Sequence, residues 1–115
     1  MDTKNAPKKK IKKRDYKTLY ELKKRLNDNI PLLNIKLFGS RARGDAGKYS
    51  DMDVFIETEK IDREIKEIIK TIVWEVSLEN SVIISPLIFS KDELTNSPLA
   101  HAPIVKNIFE EGVNI

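Results

Sequence analysis

Two aspartates one residue apart, Asp51 and Asp53, are the residues of this 115-residue sequence best suited to chemistry. Residues 54–56 read as a short strand that the pair enters from its N-terminal side. On a strand, residues i and i+2 share a face, so both carboxylates project together while Met52 turns the other way. Two acceptor-only groups this close repel each other unless a cation sits between them. Oxygen ligands at this spacing suit Mg²⁺ or Mn²⁺, which take one or two protein carboxylates and complete the shell with water and substrate phosphates. Taken alone, the pair is a weak signal and reads more readily as a surface or capping feature.

The upstream loop changes that weighting. Gly39-Ser40 ends a preceding strand, and a glycine there lets the backbone come close to a phosphate. Successive N–H groups in such a turn form an anion-binding nest, and Ser40 adds a hydroxyl donor. Arg41 and Arg43 supply cations that could steady a triphosphate, or the charge that builds on it during transfer. Separately, these residues make an ordinary tight turn and a basic loop. Their joint spacing with Asp51 and Asp53, ten residues intervening between Ser40 and Asp51, carries the information.

Gly39-Ser40-Arg41-Ala42-Arg43-Gly44 followed by Ser50-Asp51-Met52-Asp53-Val54 resembles the signature of the polymerase-beta-like nucleotidyltransferase superfamily. The resemblance is closest to its minimal, single-domain prokaryotic branch and is dense over residues 33–57. It implies a two-layer α+β nucleotidyltransferase fold, in which helices flank a small mixed sheet. It also implies ATP as nucleotide donor, Mg²⁺ or Mn²⁺ as cofactor, and transfer of a nucleotidyl group, usually AMP, with two metals clamping the α-phosphate. Carried over by position, Gly39 and Ser40 hold the β- and γ-phosphates. Asp51 and Asp53 hold the metals and are the catalytic pair.

The superfamily normally adds a third carboxylate from a following strand. Here that strand, over 82–89, contains none, and Ser85 is the nearest positional counterpart. A hydroxyl cannot replace a charged ligand or a base. Glu75 and Glu79, on the preceding helix, read as solvent-facing by their helical spacing.

Many members of the minimal branch resemble the antitoxin of a two-gene pair whose partner is a small helical HEPN ribonuclease. The resemblance therefore implies AMP transfer to a protein acceptor of HEPN type. One alternative is a module that neutralises its partner by binding alone, which the incomplete carboxylate set favours. Another is an antibiotic- or nucleic-acid-directed transferase, for which a basic N-terminal arm is the hint.

The elements that must position these residues follow from periodicity. Asp15 reads as an N-cap, with Leu19, Leu22 and Leu26 at helical spacing, so a helix is expected over 15–28. Leu33, Ile35 and Leu37 alternate on one face of a strand over 33–38. Residues 39–50 read as a loop holding at most a helical turn. Ile61, Ile65, Ile68, Ile69, Ile72, Val73 and Val76 form a single stripe on a helix over 62–79. The near-continuous apolar run over 82–89 predicts a strand buried on both faces, although Pro86 favours an edge. A polar linker then leads to a short helix that Ile104, Val105 and Ile108 dock and Gly112 ends. Trp74 reads as core or partner surface, and His101 as an exposed linker residue without a catalytic role.

Composition sets the remaining bounds. The sequence has no cysteine and one histidine, which excludes disulfides, thiol nucleophiles and multi-histidine zinc clusters. The net charge of +3 is uneven. Residues 1–14 hold seven Lys/Arg against Asp2, so the body from residue 15 onward is slightly acidic. The sequence thus divides into a basic arm, 1–14, expected to be solvated and disordered, and a nucleotidyltransferase domain, 15–115. No aromatic interleaves the lysines of the arm, which argues against base stacking there. The basic run lacks the apolar stretch of a secretory signal, and no segment is apolar enough to span a membrane. A cytoplasmic protein is expected.

Overall fold

The computed structural model describes residues 11–47 and 49–115. Helix α1 spans Lys13–Asn29, strand β1 Leu32–Phe38, the one-turn helix α2 Ser40–Arg43 and strand β2 Met52–Thr58. Helix α3 follows over Arg63–Asn80, then strand β3 over Ile84–Ser90 and helix α4 over Lys91–Asn96. A 3-10 turn at Pro98–His101, helix α5 over Pro103–Glu111 and a two-residue strand β4, Val113–Asn114, complete the order. The sheet runs β3-β2-β1-β4; β1 is antiparallel to both β2 and β4, and β2 is parallel to β3. This is the expected α+β architecture, a mixed sheet with flanking helices.

One face of the sheet carries α1 and α3. Leu19, Leu22 and Leu26 of α1 are buried against Ile69, Val73 and Val76 of α3 and against Met52, Val54 and Ile56 of β2. Asp62 caps α3 by accepting from the Ile65 N–H at 2.8 Å, and the expected α3 stripe is the buried one. Alternate residues of β2 point the other way. There Phe55 and Phe89 form a second cluster with Val105 and Ile108 of α5, so helix covers part of this face as well.

Several expectations shift. α1 begins two residues earlier than read, and Ile11 already belongs to the core. Residues 11–14 are therefore attached to the domain, while the rest of the arm lies outside the described residues. Asp15 is not the N-cap; that position is Lys12, and Asp15 is buried in the first turn. Leu33 is exposed because a register shift between Leu32 and Asn34 breaks the alternation of β1. β3 is not buried on both faces: it is an edge strand, as Pro86 indicated, and its middle is only half-buried. The polar linker after β3 contains α4, opened by a capping box in which Ser90 accepts from the Glu93 N–H and Glu93 accepts from the Ser90 N–H. In α5, Val105 and Ile108 dock while Ile104 stays exposed. Gly112 ends that helix, its N–H donating to the Ile108 carbonyl at 2.7 Å.

Candidate active site

β1 runs directly into Gly39, whose backbone sits at φ 77°, ψ −158°, a region open essentially to glycine alone. That turn starts α2. The Ala42 and Arg43 N–H groups both donate to the Gly39 carbonyl at 3.1 Å, and Gly44 closes the turn in the left-handed region. The N–H groups at the start of such a turn have no acceptor within it and face outward, which suits an anion.

The antiparallel register of β1 with β2 sets Phe38, the residue before Gly39, opposite Asp53. The carboxylate of Asp53 therefore lies against Gly39, so closely that a Cβ at Gly39 would overlap its Oδ2. The glycine turn and Asp53 are thus packed against each other, with the missing side chain as the space that allows it. In the parallel register of β2 with β3, Asp53 pairs with Ser85, and the Ser85 hydroxyl donates to Asp51 Oδ2 at 3.1 Å. Ser85 holds the position on the third strand that the sequence assigned to it.

Partial burial raises the Asp53 carboxyl above its ordinary value; the neighbouring Asp51 charge adds to this, and Arg43 opposes it. A carboxylate pair under this mutual repulsion, open to solvent at Asp51, has the donor set and the electrostatic demand that a hard divalent cation satisfies. Among the described residues no group of three or more His, Cys, Asp or Glu forms a metal cluster. Glu79 is held elsewhere, its carboxylate accepting from Arg25 Nη2 at 2.6 Å and Nη1 at 3.0 Å.

The two loop arginines separate. Arg43 is half exposed beside Asp45, 3.3 Å away, and its charge reaches Asp53. The Arg41 side chain turns inward, away from solvent. Its guanidinium is buried, with Nη1 donating to Asp15 Oδ1 at 2.9 Å and both Nε and Nη2 donating to the Ser50 carbonyl at 3.0 and 2.7 Å. Its assignment as a phosphate-binding residue is corrected to a clamp, because these bonds fix the guanidinium between α1 and the residue preceding Asp51. The sequence did hold a signal for this: Asp15 falls on the same helical stripe as Leu19, Leu22 and Leu26, and a carboxylate on an apolar stripe calls for a buried cation.

Trp74 is 64% exposed and, with Leu78 and Ile83, borders an apolar groove of about 850 Å³ between α3 and the β3 edge. It is surface, not core. His101 is exposed in its 3-10 turn. Among the described residues no helix is long and apolar enough to cross a membrane.

The sheet order, the glycine-serine turn and the aspartate pair together define the nucleotidyltransferase class, and the chain belongs to the nucleotidyltransferase domain family, whose model matches residues 19–114. Among individual proteins it is similar to one from Methanocaldococcus jannaschii named "Putative protein adenylyltransferase MJ0141", with 44% identity over 57 residues. That match takes in 48% of this chain and 57% of the relative's length.

Proposed function

We propose that this domain transfers AMP from ATP, with Mg²⁺ (or Mn²⁺) as cofactor, to a hydroxyl on a protein acceptor, and that the acceptor is a HEPN-type toxin partner. The observation that carries this reading is the packing of Asp53 against Gly39, which joins a phosphate-binding turn to a metal-binding pair. The name of the M. jannaschii relative supports a protein as acceptor. So does the apolar groove beside Trp74, a surface of the kind that macromolecular partners cover.

In this reading the N–H groups of Ser40 and Arg41 and the Ser40 hydroxyl hold the terminal phosphates. Arg43 offsets the charge on the departing pyrophosphate. Asp51 and Asp53 hold the divalent cation, which supplies Lewis-acid polarisation of the α-phosphate when bound. Ser85 would steady the Asp51 carboxylate for that role through its hydroxyl. The acceptor oxygen attacks the α-phosphorus, the bond to the β-phosphate oxygen breaks, and pyrophosphate leaves. The acceptor's proton passes to solvent or to Asp51, the more exposed carboxylate.

A second reading is favoured by Ser85 standing where a third carboxylate would complete the site: the domain neutralises its partner by contact, with weak or no turnover. One experiment separates the two. The chain is incubated with the product of the neighbouring gene, ATP and Mg²⁺, and the partner's intact mass is measured. A gain of AMP that disappears in Asp51→Ala/Asp53→Ala supports transfer. Loss of partner activity with no mass change supports binding alone, and neither effect sinks the toxin-partner assignment.

A further inference from the structure

The outward side of α1 bears residues at i, i+3, i+4, i+7, i+8 and i+11: Lys13, Tyr16, Lys17, Tyr20, Glu21 and Lys24. They line a shallow depression of about 540 Å³. The rings of Tyr16 and Tyr20 stack at 5.7 Å between centroids and 21° between planes, and Tyr20 is 56% exposed. The one carboxylate in the stripe is turned aside, because Glu21 accepts from Arg25 Nε at 2.7 Å. Among the described residues no carboxylate lies within ion-pair distance of Lys13, Lys17 or Lys24. The stripe continues in sequence from Lys8, Lys9, Lys10 and Lys12, on a chain whose body is otherwise slightly acidic.

We propose that this face binds single-stranded nucleic acid, with a base stacked on Tyr20 and phosphates paired with Lys13, Lys17 and Lys24. Exposed aromatics set between lysines are the means by which proteins hold single strands: the rings take base faces and the cations follow the backbone. RNA loops and ends present such unstacked bases. A duplex offers phosphates but no free base face, so it would leave the tyrosines unused. An anionic membrane fits less well, because the apolar side of α1 is consumed in the core and nothing on the outward side could insert. This proposal is independent of the transfer reaction, and Asp51 and Asp53 take no part in it.

The test is fluorescence anisotropy of the full chain with a labelled oligouridylate across a salt series. Three lysine contacts predict a slope of log K against log salt of about −2 or steeper. Tyr20→Ala is expected to weaken binding about 5- to 100-fold, whereas Tyr20→Phe, which keeps the ring, binds as the parent does. Lys13→Glu/Lys17→Glu/Lys24→Glu should weaken it by about tenfold or more and flatten the slope. All of these side chains are at the surface, so an unchanged circular dichroism spectrum is expected for each variant. The proposal is overturned by any of four results: no binding at low salt, unchanged affinity in Tyr20→Ala, preference for a duplex of the same length, or binding to phosphatidylserine vesicles but not to the oligonucleotide.

Discussion

Arg41 Nη1 lies 2.9 Å from Asp15 Oδ1, and both side chains are about 5% exposed. This pair ties the start of α1 to the loop that carries the Gly39-Ser40 turn, and the Ser50 carbonyl completes the guanidinium's bonds one residue before Asp51. Removing Asp15 would leave a buried cation short of a partner. Asp15→Ala and Arg41→Ala are each expected to cost about 3–5 kcal/mol in chemical denaturation. Arg41→Lys should lose much of the same stability, since an ammonium cannot span both Asp15 and the Ser50 carbonyl as the planar fork does. If Arg41→Lys unfolds at the wild-type denaturant midpoint, the clamp is not structural.

Gly39 makes a second, independent demand. Its φ of 77° disfavours any side chain, and a methyl there would meet the Asp53 carboxylate. Gly39→Ala should cost about 1–3 kcal/mol from backbone strain. It should also displace Asp53, so that divalent-cation binding, followed by calorimetry with Mn²⁺, weakens more than stability alone explains. Wild-type Mn²⁺ affinity in Gly39→Ala would argue that the contact between turn and carboxylate is incidental.

How much of this was legible in the sequence depends on the range of the interaction. The α3 stripe and the strand of Ile35 and Leu37 follow from local periodicity, and the structure keeps them. The capping box from Ser90 to Glu93 is equally local, but it opens a segment whose composition reads as a polar linker. Arg41 shows the opposite limit. A basic residue in a glycine-bounded loop looks the same whether it faces a phosphate or a carboxylate, and only the placement of α1, 26 residues away in sequence, decides. β4, with two residues, is too short to carry a period and exists because β1 offers it an edge. The register shift that exposes Leu33 belongs to the pairing of two strands and has no signature in either one.

Asp53 gives a prediction in pH. Burial and Asp51 hold its carboxyl above the ordinary value of 3.8, so ionising it costs the folded state more than the unfolded one. Its unfavourable contribution is absent below the unfolded value and grows as pH rises through the interval up to the raised folded value. Asp53→Asn should therefore unfold at a higher temperature than the parent at neutral pH, with a gap that closes as pH falls toward 3.8. Mg²⁺ should raise the melting temperature of the parent and leave that of Asp53→Asn unchanged. A variant less stable than the parent at pH 7 would contradict the assignment of Asp53 as a strained carboxylate.

Ser85 offers the most direct test of what the site lacks. It pairs in register with Asp53 and touches Asp51, so Ser85→Asp puts a third carboxylate beside the first two without moving the backbone. With no cation present, the added like charge should lower the melting temperature. With Mn²⁺ the three carboxylates share the cation, and the stability should recover past that of the parent at the same concentration. If proton removal from the acceptor limits turnover, transfer should rise by about 10²-fold or more, the range over which positioned general bases act. Ser85→Ala, which removes the hydroxyl and adds no charge, should loosen Asp51 and weaken Mn²⁺ binding modestly. Stability and transfer that ignore the cation in Ser85→Asp would mean that residue 85 does not face the metal-binding space, whatever its register suggests.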